Sequence, residues 1–140
     1  MIYNLRINHI YYEPYNLVRI RYSKNSFERI FDKIKEEKNA IVLGGENWHH
    51  GVIGIVASKI TELYYKPSIL IGFEDGEGKG SGRSIHGFDL HEALGKCQDH
   101  IDRFGGHAMA IGISVKESEF EAFKKFFKEQ WKLTKKEIEE

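Results

Sequence analysis

The sequence predicts an α/β domain: a mixed β-sheet flanked by helices, with an N-terminal β-hairpin. Three observations lead there. Stretches of two-residue apolar alternation or short apolar runs take turns with stretches of helical spacing. Glycine, proline and asparagine breaks separate them. A length of 140 residues with 41% hydrophobic and 30% charged content suits one globular domain with a real core.

Tyr3, Leu5, Ile7, His9 and Tyr11 alternate with polar residues, as do Val18, Ile20 and Tyr22 beyond the break at Glu13-Pro14-Tyr15-Asn16. That pattern predicts the hairpin. From Ser26, an N-cap candidate, Phe27, Ile30, Phe31 and Ile34 follow helical spacing to a stop near Asn39. Ala40 to Leu43 then reads as a short buried strand. After the loop Gly44 to His50, Val52, Ile55, Val56, Ile60 and Leu63 mark a helix ending near Tyr65, ahead of Pro67. Ser68 to Phe73 is the next strand. Asp89 and Glu92 have capping-box spacing before Leu90, Ala93, Leu94, Cys97 and Ile101. A second box is available at Ser118 and Glu121, opening a helix with Phe120, Phe123, Phe126, Phe127 and Trp131. The closing Lys/Glu-rich residues read as a solvated helix end.

Lys and Arg (21) balance Asp and Glu (21), so global basicity gives no argument for nucleic acid, and any such partner must meet a local patch. The single Cys97 excludes an intramolecular disulfide framework. No apolar run approaches the roughly 18 residues of a membrane span, and no signal-peptide pattern opens the chain. The expectation is a cytoplasmic protein with no membrane partner.

Gly78-Lys79-Gly80-Ser81-Gly82-Arg83-Ser84 is the most informative stretch. If it is extended, Lys79, Ser81 and Arg83 share one face and the glycines leave the other bare. Two cations and a hydroxyl suit an anion, and the glycine side would allow close backbone approach. A flexible loop after Glu74-Asp75-Gly76 is the equally open alternative. Asn47-Trp48-His49-His50-Gly51 stands between a strand and a helix N-terminus, where free N–H groups receive phosphate and an indole can stack on a base. Its structural alternative is Trp48 as packing, Asn47 as N-cap and the histidines exposed. In Gly105-Gly106-His107, adjacent glycines permit positive φ beside a proton-carrying ring, or merely make a turn. In an α/β domain such loops are expected to meet at one edge of the sheet. P-loop and dinucleotide spacings are absent, as are HExxH, Cys-His and clustered-carboxylate ligand sets. Seven histidines leave a histidine metal site as a minor alternative.

Trp48-His49-His50-Gly51-Val52-Ile53-Gly54-Ile55-Val56-Ala57-Ser58-Lys59, Gly80-Ser81-Gly82-Arg83-Ser84 and Arg103-Phe104-Gly105-Gly106-His107-Ala108-Met109-Ala110-Ile111-Gly112 resemble, in order, the motifs of the DHH-associated domain of the RecJ single-strand exonuclease family. The resemblance covers about residues 26 to 127. It departs from the family at His50, where Pro is frequent, and at Ile111, where a small Ala is common.

The resemblance implies a nucleic-acid-binding domain over residues 26–140, with 1–25 a hairpin or linker remnant. It implies that Ser81 and Arg83 contact a terminal 5′ phosphate, and the alternation of the strip adds Lys79 as a helper. His107 with Gly105 and Gly106 would face the phosphate near the metals, and Trp48 and His49 belong to the loop entering the first helix. In the family the metals, Mn2+ or Mg2+, are bound by a DHH domain that cleaves by two-metal chemistry. No such domain is recognisable here, so the chain is expected to bind no cofactor itself and to be inactive alone. Its expected partners are single-stranded nucleic acid and the DHH catalytic domain. Two alternatives remain: an associated domain of an oligoribonuclease or cyclic-dinucleotide phosphodiesterase, and a non-catalytic protein-interaction module.

Overall fold

The computed structural model describes Ile34 and residues 37–139. The chain divides into two compact units, Met1–Lys38 and Asn39–Glu140, and all described strands belong to the second. The N-terminal hairpin, the boundary expected at residue 25 and nearly all of the helix expected from Ser26 lie outside the described residues.

Five strands form one sheet in the order β1-β2-β3-β5-β4. They are β1 Ile41–Glu46, β2 Ser68–Glu74, β3 Glu77–Arg83, β4 Arg103–Gly106 and β5 Ala110–Lys116. β1 and β2 run parallel and the other pairs antiparallel, which makes the sheet mixed as expected. A parallel pair needs a crossover, and helix α1, His50–Tyr64, supplies it. Helices α2, Leu90–Gly95, and α3, Phe120–Glu139, follow β3 and β5.

Local chemistry sets the joints. Tyr65 turns left-handed (φ 51°) and donates its N–H to the Thr61 carbonyl, ending α1 two residues before Pro67. Asp75 and Gly76, both with positive φ (53° and 79°), form the two-residue reversal that pairs β2 with β3. The Asp89 carboxylate accepts from the Glu92 N–H at 3.0 Å, one half of the predicted capping box, while the Glu92 carboxylate lies 3.8 Å from Lys96 Nζ. The box at Ser118 does not form. Residues 117–119 make a 3-10 turn without a side-chain cap, and the Glu117 N–H is directed to the Gly76 carbonyl at the β2–β3 turn.

Two faces of the sheet have different coverings. One carries Ile69, Ile71 and Phe73 from β2 with Ile111, Ile113 and Val115 from β5, buried under Leu90 and Leu94 of α2 and Phe123, Phe127 and Trp131 of α3. Phe88 meets Phe127 and Trp131 edge-on, at centroid distances of 5.8 and 5.3 Å. Phe126, expected in the stripe, sits at its exposed margin beside His100. On the other face α1 packs against β2 and β3 through Ile53, Val56, Ala57 and Ile60. With both sides covered, β2 is buried from Ser68 to Ile71 and reads as a continuous apolar run rather than an alternation.

The bare glycine side of β3 belongs to this core. Gly82, Gly80 and Gly78 stand in register with Ile69, Ile71 and Phe73 on one neighbour and with Ile111, Ile113 and Val115 on the other. A Cβ on Gly80 would lie 2.3 Å from the Leu70 carbonyl oxygen and 2.7 Å from Ile71 Cγ1. This corrects the expectation that the glycines open the strip to a ligand. Bulky β2 and β5 side chains close over a strand that has none.

Candidate nucleic-acid interface

β3 is extended from Glu77 to Arg83, so Lys79, Ser81 and Arg83 do share the face opposite the glycines. α1 crosses that face, and its Gly54 makes room for the two innermost groups. A Cβ on Gly54 would stand 3.0 Å from Arg83 Nη2 and 3.5 Å from Ser81 Oγ. Arg83 Nε donates to Ser58 Oγ at 3.1 Å, and Nη1 donates to the Gly82 carbonyl at 2.8 Å. The Thr61 hydroxyl donates to the Arg83 carbonyl at 3.4 Å. Helix and strand together fix the guanidinium on the Ser81 side of the sheet. Arg83 is only partly buried, so its charge remains available to an anion.

Beyond β3 no described element covers this face. Ser81 is registered with Gly112 and, through it, with Gly105; Arg83 is registered with Ala110. Ala110, Gly112 and Gly105 are exposed, and a Cβ on Gly105 would meet nothing within 4 Å. The result is a floor of very small residues with α1 as one wall. Lys79 also looks onto it, but from another row: it pairs in register with Ser114, and Ser114 with Arg103. Lys79 and Arg83, four residues apart, are separated by about 13 Å of strand.

The Trp-His loop reaches the same face at the Lys79 end. Asn47 adopts positive φ (56°) and donates its N–H to the Phe73 carbonyl at 2.9 Å, which turns Trp48 back over the sheet. The indole covers Gly45, where a Cβ would fall 2.0 Å from Cε2, and the Trp48 backbone covers Gly72. His49, not Asn47, caps α1. Its Nδ1 accepts from the Gly51 N–H at 3.2 Å, which leaves Nε2 for a ligand. His50, where the resemblance leads to an expectation of Pro, is the first helical residue, a place Pro favours for its fixed φ. Ile111, the second departure, is buried with its Cδ1 2.8 Å from where a Gly82 Cβ would be.

The Gly-Gly-His segment closes the other end. Gly105 and Gly106 finish β4, and Gly106 has φ 132° with the Ala110 carbonyl 2.4 Å from its would-be Cβ, so its glycine is required by the hairpin itself. The His107 N–H donates to Ala110 O at 2.9 Å, and the side chain is exposed. Ala110 is the register partner of Arg83, so His107 stands at the Arg83 end.

All three segments therefore reach one face, but not one edge. β1 runs antiparallel to β3, so the loop after β1 and the end of β3 fall at opposite ends of the sheet. β3 spans the gap between them. Sequence reasoning missed Gly54 and Ser58 as the supports of Arg83, and Arg103 and Ser114 as neighbours of Lys79. The first pair had a legible signal in the small residues Gly51, Gly54 and Ser58 recurring at helical spacing. The second depends on sheet register.

Among the described residues, no three His, Cys, Asp and Glu side chains gather in a metal-holding group. No helix among them is long and apolar enough to cross a membrane.

Fold and motifs together define a class. Residues 37–133 match the DHHA1 domain family, and the chain belongs to it. It is a RecJ-like member. It is 46% identical over 82 residues to the single-stranded-DNA-specific exonuclease RecJ of Bacillus subtilis, a match covering 57% of this chain and 10% of that protein. The Escherichia coli protein of the same name is 44% identical over 87 residues, covering 59% of this chain and 15% of the relative. The crystal structure of Thermus thermophilus RecJ in complex with Mg2+ superposes with a TM-score of 0.61 at 34% identity, over 79% of this chain and 18% of that one. The chain thus spans a small part of the relatives it matches. The C-Ala domain of Aquifex aeolicus alanyl-tRNA synthetase shares the fold, with a TM-score of 0.58 at 13% identity, over 68% of this chain and 96% of that one.

Proposed function

We propose that this domain is the substrate-gripping part of a RecJ-like 5′→3′ exonuclease specific for single-stranded DNA, and that it holds the 5′-phosphorylated end. One observation carries the reading: Ser81 and the Ser58-supported guanidinium of Arg83 sit side by side at an open floor of small residues. A terminal phosphate has charge and oxygen acceptors for both. The floor lets a sugar-phosphate backbone lie close to the sheet. His107, at the Arg83 end, is suited to donate to the same phosphate, and Trp48 offers a ring for a base at the far end.

Cleavage belongs to another domain. In this reading the two-metal centre, with Mn2+ or Mg2+, lies in a DHH domain in the same protein or in trans. The cell compartment that fits this role is the cytoplasm, in DNA repair and recombination.

Binding of thymidine oligomers with and without a 5′ phosphate tests the proposal. The 140-residue chain should prefer the phosphorylated end, and Arg83→Ala should remove that preference. A charge-assisted hydrogen bond contributes about 1.5–3 kcal/mol, so the loss should be about 10- to 100-fold. Equal affinity of wild type and Arg83→Ala for the phosphorylated oligomer would refute it.

A further inference from the structure

We infer that the same face carries a second phosphate anchor, formed by Lys79 and Arg103 across Ser114, which receives the strand downstream of the 5′ end and sets its direction along β3. The inference rests on the 5′-phosphate grip proposed above and adds a distinct set of residues to it.

Three observations support it. Register places Lys79, Ser114 and Arg103 in one row across three neighbouring strands, all on the open face. Lys79 and Arg103 are both exposed, and their strands are separated only by β5, about 10 Å at ordinary strand spacing. Long cationic side chains from either side can close on an anion above the Ser114 hydroxyl. Finally, the sheet places nothing bulky between this row and Arg83. The intervening row is Ser81, Gly112 and Gly105, so a chain lying on it meets backbone rather than side chains.

The charge pattern also says where the track ends. The next residue on this face of β3 is Glu77, registered with Lys116, and there the cationic surplus stops. Beside the Lys79 row lies a hollow of about 620 Å³ whose lining includes Trp48, His49 and Lys79 and also the acidic residues Glu74, Asp75 and Glu77. Its aromatic and imidazole rings accept a base, while its carboxylates disfavour a phosphate. A strand held by its 5′ phosphate at Arg83 would run along β3, set a downstream phosphate between Lys79 and Arg103, and turn a base toward Trp48.

The test uses the 140-residue chain, the double variant Lys79→Gln/Arg103→Gln and the single variant Arg83→Ala. Probes are a 5′-phosphorylated thymidine dinucleotide, too short to span both anchors, and a 5′-phosphorylated thymidine hexamer, across a salt series. For every single-strand phosphate that a variant ceases to neutralise, the slope of log affinity against log salt should become shallower by about 0.7. The double variant should bind the hexamer about tenfold more weakly, with that shallower slope, and bind the dinucleotide as wild type does. Arg83→Ala should weaken both. An unchanged hexamer slope in the double variant, with Arg83→Ala still defective, overturns the second anchor and leaves the 5′ grip standing. Equal weakening of both probes by the double variant also overturns it, by assigning Lys79 and Arg103 to the terminal phosphate. Failure of the wild-type chain to bind either probe overturns the grip and the anchor together.

Discussion

Replacing Gly80 with Ala tests whether the glycine side of β3 is core, and Gly105→Ala is its internal control. Both glycines lie in the same sheet, on either side of β5. At Gly80 the new methyl would fall 2.3 Å from a carbonyl oxygen and 3.0 Å from Ile71 Cα, backbone atoms that no rotamer change can move. Overpacking a core costs about 1–3 kcal/mol, and a strand-interior Gly→Ala exchange otherwise gains about 0.5–1 kcal/mol. With backbone as the obstacle the cost falls at the upper end, and a net loss of about 2 kcal/mol is expected. At Gly105 nothing lies within 4 Å and φ is not positive, so only the gain applies, about 0.5 kcal/mol. Urea unfolding followed by Trp48 and Trp131 fluorescence should separate the variants by about 2–3 kcal/mol. In a thermal melt Gly80→Ala should fall by roughly 7–9 °C. Agreement of the two variants within about 0.5 kcal/mol, or a Gly105→Ala protein weaker than Gly80→Ala, would show that this side of β3 is not close-packed.

Two further outcomes follow from the same geometry. Gly54→Ala should raise the stability of α1 by up to about 1 kcal/mol; the methyl 3.0 Å from Arg83 Nη2 displaces the guanidinium, so titration with 5′-phosphorylated oligomers should show weaker binding in a more stable protein. Burial pushes the Cys97 thiol from its ordinary 9.0 up to about 12. The folded state then keeps its proton where the unfolded chain has lost it, so this contribution is complete below pH 9 and declines between pH 9 and 12, by about 1.4 kcal/mol per pH unit at most. The stability difference between wild type and Cys97→Ala should therefore shrink over that range in pH-dependent urea titrations.

Much of the fold was legible because local signals agreed with one another. Asp75-Gly76 is a reversal by its backbone preferences alone, and α1 ends where Tyr65 and Pro67 require. Asp89 caps α2 as its spacing with Glu92 predicts. The failures share a feature. Ser118 has cap chemistry, yet the Glu117 N–H goes to Gly76, a residue remote in sequence. Asn47 looks like a cap, yet it is drawn to Phe73, and His49 takes the role instead. At both places the backbone is held by a hydrogen bond to a residue remote in sequence.

The alternation of Lys79, Ser81 and Arg83 against three glycines is written in the chain, because side-chain period is a property of any extended segment. Its three ordered motifs also identified the family. What the two sides of that strand do was settled by packing. Burial under Ile71, Phe73 and their β5 counterparts made the glycine side core. On the polar side α1 stops at β3, which leaves small β5 residues exposed, and antiparallel register carries Arg103 into the row of Lys79. These are contacts between segments distant along the chain, and no local spacing encodes them.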